Sequence, residues 1–148
     1  MKYKKYLMLF VILLSGCFEE KTTQTKTNVE DVVVPLERDY SEVSDYELTW
    51  DSMFDVDSNH YYIYFYSVSC NHCAEIKNFI IERALERGDV YFVKGTSKDQ
   101  LTTDSKKLIN AEKPANFYIL GYPSLALILN KKCIKNIAGT AQIKNELK

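Results

Sequence analysis

Two cysteines separated by two residues, Cys70-Asn71-His72-Cys73, are the side chains in this sequence best suited to chemistry. They follow an aromatic and β-branched run at residues 61–66 and open a segment of helical periodicity, which puts them at a strand-to-helix junction. Two intervening residues at a helix start let the sulfurs approach within bonding distance. The first sulfur then faces unpaired backbone N–H groups and the positive end of the helix dipole, which favour a thiolate. Cys70 is therefore expected to ionise below the ordinary cysteine value of about 8.5 and to attack in thiol–disulfide exchange, with Cys73 as the resolving thiol. His72 could favour the same anion. Two plainer uses compete: a passive structural disulfide, and half of a zinc site with His72, for which His60 and Cys133 are the other candidate ligands. Neither needs a strand-to-helix junction, and the zinc alternative lacks a second ligand pair. No metal and no cofactor is expected. Cys133 is expected to be a small buried hydrophobe.

The elements that must hold this dithiol follow from periodicity. Residues 61–66 are apolar on both faces and too short for an ordinary helix, as in a central buried strand. Residues 73–87 place Ile76, Phe79, Ile80, Ala84 and Leu85 at helical spacing, with Gly88 just past the end as a left-handed terminator. Residues 90–93 read as a second strand, and residues 96–108 carry a weak helical pattern. Residues 125–129 and 134–137 read as a hairpin around Asn130-Lys131-Lys132-Cys133, and Thr140 as the cap of a short closing helix through Leu147. Residues 44–54 suggest a short helix, with Ser44 as cap and Tyr46, Leu48, Trp50, Met53 and Phe54 as an imperfect stripe. A strand-helix-strand unit implies a parallel pair with a right-handed crossover, and the hairpin adds antiparallel strands. The expected class is α/β, a mixed central sheet with a C-terminal antiparallel hairpin, flanked by helices.

Composition narrows the setting. With 148 residues, 46% hydrophobic and 13% aromatic, the chain can fill one core and is not disordered throughout. Met1 to Tyr6 carries Lys2, Lys4 and Lys5, and the apolar run from Leu7 to Leu14 is too short to span a bilayer, which takes about 20 residues. This is the layout of an export signal. Leu14-Ser15-Gly16-Cys17 resembles the bacterial lipobox, whose cysteine is acylated and becomes the first residue after cleavage. Residues 1–16 are thus expected to be removed. The polar stretch at 18–28 then serves as part of a tether over residues 17–43, in which the β-branched run at 32–34 is either a first strand or more tether. Residues 44–148 form the single folded domain. Without the signal, 16 basic side chains face 20 acidic ones, so no nucleic-acid partner is expected. Each buried methylene of an acyl chain contributes about 0.8 kcal/mol, enough for several chains to hold the protein on the membrane surface through Cys17.

The Cys70-Asn-His-Cys73 motif, the strand at 61–66 before it, and Gly121-Tyr122-Pro123-Ser124-Leu125 leading into the hairpin resemble the thioredoxin-like family, in particular its small exported bacterial lipoproteins. The likeness covers roughly residue 44 to the C-terminus. It implies a thioredoxin-like fold and thiol–disulfide oxidoreductase activity on cysteine-containing exported proteins. The outer face of the bacterial cytoplasmic membrane is the implied location, with a membrane or extracytoplasmic redox partner. It also implies that Pro123 is cis and lies against the active-site sulfurs, with Tyr122 offering backbone groups to a bound peptide. Three positions depart from thioredoxins: Tyr64 stands where they carry a buried carboxylate, Ser69 replaces a tryptophan, and Asn71-His72 replaces Gly-Pro. A histidine just before the second cysteine is similar to the envelope oxidases and hints at an oxidising poise. From a different class, the competing function is a non-catalytic binding module presenting the Pro123 loop to a partner protein.

The lipobox makes a direct prediction. Cys17→Ala should abolish incorporation of a fatty-acid label and leave the precursor released or unprocessed; a mutant labelled as strongly as wild type would overturn the assignment.

Overall fold

The computed structural model describes residues 37–148, Lys98 excepted. The expected signal segment, Cys17, the run at 32–34 and the tether up to residue 36 lie outside the described residues. The order of elements is a 3-10 helix at Tyr40–Tyr46, β1 at Glu47–Leu48, β2 at His60–Tyr66, α1 at Asn71–Arg87 and β3 at Val90–Lys94. Two single 3-10 turns follow at Ser105–Lys107 and Pro114–Asn116, then β4 at Ser124–Leu129, β5 at Lys132–Ala138 and α2 at Thr140–Glu146. One sheet takes the strands in the order β1-β3-β2-β4-β5. β1, β3 and β2 run parallel, while β4 is antiparallel to β2 and β5 antiparallel to β4. No helix among the described residues is long and apolar enough to cross a membrane.

The two-residue period of a strand explains the aromatic run in β2. Tyr62, Tyr64 and Tyr66 enter one core, with Val43, Ile76, Ile80, Ile81 and Ala84 from the helices. Tyr61, Ile63 and Phe65 enter a second core on the opposite face. The first face is covered by α1, α2 and the Tyr40–Tyr46 turn. The second is closed by chain without regular helix: Trp50, Met53 and Phe54 from one side, Phe117 and Ile119 from the other. Phe117 stacks on Phe65 at 5.2 Å between ring centres and meets Trp50 edge-on at 5.6 Å.

Helix α1 forms as its periodicity predicts. Cys73, Ile76, Ile80, Ile81 and Ala84 are its buried side, whereas Leu85, expected there, is 43% exposed. Gly88 ends the helix at φ 71°, its N–H bonding the Ala84 carbonyl at 2.8 Å. The hairpin turns on Asn130 and Lys131, both in the left-handed region at φ 50° and 63°, as a two-residue turn requires. Leu127 faces Lys135 while Ile128 faces Cys133, so Ile134 bulges out of register and is 44% exposed.

Three sequence expectations need correction. Residues 44–54 do not form a helix. The helical turn starts earlier, at Tyr40, capped by a reciprocal Asp39–Glu42 box, and the chain then pairs as β1 with Phe92 and Val93. The stripe from Tyr46 to Phe54 reflects burial, but Tyr46 packs against the core on one face of the sheet and Trp50, Met53 and Phe54 belong to that on the other, which one short helix could not serve. Residues 96–108 hold only the turn Ser105–Lys107, since Leu101 instead bridges Ile119 in a strand-like contact. Thr140 is the first residue of α2, and Gly139 occupies the cap without a side-chain bond.

The aromatic closure of the second face yields a stability prediction. Phe117 is fully buried among three rings, so Phe117→Ala should destabilise the fold by about 3–5 kcal/mol, read as a lower midpoint in denaturant with an unchanged slope.

Candidate functional site

Strand β2 ends at Tyr66, and a tight turn closed by the Cys70 N–H on the Ser67 carbonyl at 3.2 Å delivers the chain to α1. Cys70 is the N-cap. Its backbone is extended (φ −94°, ψ 114°), and its sulfur takes the place of the usual capping oxygen by accepting the Cys73 N–H at 3.1 Å. Such an N–H bond is one that a sulfur anion accepts more strongly than a neutral thiol. The two cysteines are in the dithiol form and differ sharply in burial: Cys70 is half-buried, while Cys73 is 1% exposed. Burial, followed by its hydrogen bond with Cys70, pushes the Cys73 thiol up to about 12.

A cavity of about 210 Å³ is lined by both cysteines and by Asp39, Tyr40, Val68 and Lys77. Val68 is 75% exposed at its rim, an unusual position for an apolar side chain beside a reactive group. Tyr40 stacks on Tyr66 at 3.9 Å and so forms a wall facing the dithiol. Sequence reasoning missed Tyr40 and Asp39 because they lay in the expected tether; the Asp39-x-x-Glu42 spacing of a capping box was the available signal.

The other predicted residues fall as follows. The Tyr122–Pro123 peptide bond is cis, and Pro123 is buried immediately before β4, whose first residue Ser124 pairs with Phe65 near the end of β2. The Pro123 carbonyl accepts the Gly139 N–H at 3.0 Å, tying this loop to the end of the hairpin. Tyr122 packs against both cores, and burial, then its hydrogen bond to Asp99, raises its hydroxyl. That hydroxyl donates to the Asp99 carboxylate. Gly95 makes room for it, since a Cβ there would fall 2.6 Å from the Tyr122 oxygen. His72 is exposed, its Nδ1 3.2 Å from Glu75 on the solvent side of α1. Cys133 is fully buried in β5, its thiol within 3.4 Å of the Leu108 and Lys135 carbonyls, and burial pushes it up to about 12. Among the described residues no three His, Cys, Asp or Glu side chains converge as a metal site.

The strand order, the dithiol at the start of α1 and the cis proline ahead of the hairpin together define a thioredoxin-like fold. No family model and no curated protein matches the sequence. Similar solved structures include thioredoxin f2 of Chlamydomonas reinhardtii, at 21% identity over 68% of this chain and 90% of that one, with a TM-score of 0.45. Mitochondrial thioredoxin 3 of Saccharomyces cerevisiae is 18% identical over 72% of this chain and 94% of its own, with a TM-score of 0.47. The long form of spinach chloroplast thioredoxin f is 16% identical over 68% and 78%, with a TM-score of 0.45.

The asymmetry between the sulfurs is measurable. The folded protein holds the Cys73 proton more tightly than the unfolded chain, whose thiol titrates near 9.0. The resulting stability is fully present below that value and is lost as pH rises toward about 12. Iodoacetamide should therefore label Cys70 in the native reduced protein and spare Cys73 until the medium is strongly alkaline; labelling of Cys73 first would contradict the geometry.

Proposed function

We propose that this protein is a thiol–disulfide oxidoreductase that cycles Cys70 and Cys73 between dithiol and disulfide. The observation that carries the reading is the capped pair itself: a reachable sulfur held at 3.1 Å by the backbone N–H of a second cysteine that is almost wholly buried. In the reductive direction the Cys70 thiolate attacks a client disulfide. A Cys70–client S–S bond forms, the client bond breaks, and one client thiolate leaves. Cys73 then loses its proton and attacks the Cys70 sulfur, closing the intramolecular disulfide and releasing the second client thiol. Two electrons have passed to the client; the reverse sequence oxidises a client dithiol.

In this reading the clients are cysteine-containing exported proteins, presented beside Tyr122 and Pro123, and a membrane or extracytoplasmic redox partner resets the couple. Lipid on Cys17 holds the enzyme on the outer face of a bacterial cytoplasmic membrane. That part rests on the sequence of residues 1–17, while the dithiol chemistry rests on the capped pair. His72 is exposed to solvent, so any influence it has on the thiolate acts across the helix start and not by contact with a buried sulfur.

Cys73→Ser should trap the mixed disulfide between Cys70 and a client as a heavier, reductant-sensitive band. Cys70→Ser should trap little. Replacing both should abolish function; a double mutant that retains full function would show a binding module instead.

A further inference from the structure

Two tyrosine hydroxyls are buried behind the dithiol, and neither completes a hydrogen bond with a protein group. Tyr64 comes from the middle of β2 and is fully buried; Tyr40 comes from the first helical turn. A buried hydroxyl without a partner is unfavourable, and phenylalanine would fill the same space without that cost. Tyr64 and Cys73 belong to one core cluster with Tyr40 packed against it, and the Tyr64 hydroxyl lies near enough to the Cys73 thiol and to the Tyr40 hydroxyl to influence the ionisation of both. Tyr40 in turn lines the cavity that both cysteines line.

The groups facing Cys73 come from four elements. Cys70 and the Ser67 backbone lie at the start of α1, Tyr64 in β2, Tyr40 in the first turn and Tyr122 in the loop before β4. Asp39 and Lys77 bring charges to the rim of the shared cavity. Of these, Tyr64 is the one whose hydroxyl is both unpartnered and beside the sulfur.

We propose that Tyr64 is the hydrogen-bond donor that stabilises the Cys73 thiolate while the mixed disulfide resolves, with Tyr40 as its outer partner toward the cavity. This rests on the oxidoreductase reading above. During the step the Cys73 S–H bond breaks and its proton leaves to solvent through the cavity. The Cys73 electron pair attacks the Cys70 sulfur, the Cys70–client S–S bond breaks, and the client sulfur departs with the bonding pair and takes up a proton. Tyr64 keeps its own proton throughout, since burial raises its hydroxyl far above the ordinary tyrosine range; it acts as a donor and not as a base. As Tyr64 donates to the sulfur, its oxygen is free to accept from Tyr40, and each bond in such a chain polarises the next. The Tyr64 hydroxyl completes no hydrogen bond in the resting dithiol, and a Cys73 anion is a stronger acceptor than the neutral thiol, so the interaction favours the reacting state over the resting one.

The test uses the full-length reduced protein in detergent with glutathione disulfide as probe. The reaction is acid-quenched over time, and the Cys70–glutathione adduct is followed by mass across a range of pH. Tyr64→Phe should form the adduct at the wild-type rate but lose it about tenfold to a hundredfold more slowly, as removal of a bond to a charged group implies. Its decay profile should move to higher pH, and its thermal midpoint should not fall. Tyr40→Phe should shift the decay in the same direction by less. Adduct decay in Tyr64→Phe that matches wild type at every pH overturns the proposal. If Tyr64→Phe does not fold, Tyr40→Phe decides, and wild-type decay there overturns it equally. A wild-type protein that forms no adduct at all sinks the oxidoreductase reading and the role of Tyr64 with it, a result distinct from normal exchange with an unaffected Tyr64→Phe.

Discussion

Strand β2 is enclosed on every side, with β3 along one edge, β4 along the other, a helical layer on one face and aromatic loop residues on the opposite face. Burial on both faces is why six consecutive aromatic or branched residues are tolerated from Tyr61 to Tyr66, and why no charge falls among them. The same enclosure fixes the site. The C-terminal end of β2 releases the chain into the Cys70 turn, and its antiparallel neighbour β4 begins beside that end, which sets Pro123 and the dithiol at the same end of these two central strands. A register slip of one residue in the β2–β4 pair would turn Tyr64 to the other face and leave Cys73 without its neighbour.

From that placement the division of labour between the sulfurs follows without further assumption. An N-cap residue lies half outside the helix and Cys73, three positions on, lies on its buried side with Ile76 and Ile80. One thiol therefore meets solvent and the other meets the core. The cost is that the buried thiol resists ionisation at neutral pH, and the surrounding side chains must offset this whenever it reacts. A carboxylate would do so as a base that takes the proton. Tyr40 and Tyr64 present neutral hydroxyls instead, while Tyr66, stacked on Tyr40, gives its own to Glu47, and that part of the core stays free of a buried anion.

The sequence was most legible where one signal acted locally. Cys70 and Cys73, helix α1 with its Gly88 terminator, strand β2 and the hairpin could all be read because periodicity, turn chemistry and length agreed. The residues at 44–54 misled because tertiary packing divides them: Tyr46 packs against one core and Trp50, Met53 and Phe54 belong to the other, giving helix-like spacing without a helix. Residues 96–108 misled for a related reason, as Leu101 is taken up by a bridge to Ile119 and the rest is held by turns. Tyr64 could be noted from its position six residues before Cys70, but its unpartnered hydroxyl and its neighbour Tyr40 depend on a contact between chain segments that no local pattern encodes.

The loop-covered face matters to the site although it holds neither sulfur. Phe117 anchors the long connection between β3 and β4 by inserting between Trp50, Phe54 and Phe65. Beyond it the Tyr118 carbonyl accepts from the Asn136 amide at 2.7 Å, and the Pro123 carbonyl from Gly139 at 3.0 Å, so strand β5 and its end clamp the segment on both sides of Tyr122. Asp99 holds the Tyr122 hydroxyl from the opposite direction. The loop beside the dithiol is thus positioned by an apolar anchor and by hydrogen bonds from β5 with its end and from Asp99. Its geometry depends on the packing of a face remote from the cysteines, and a core substitution at Phe117 would loosen the loop at Tyr122 even where every residue around Cys70 is unchanged.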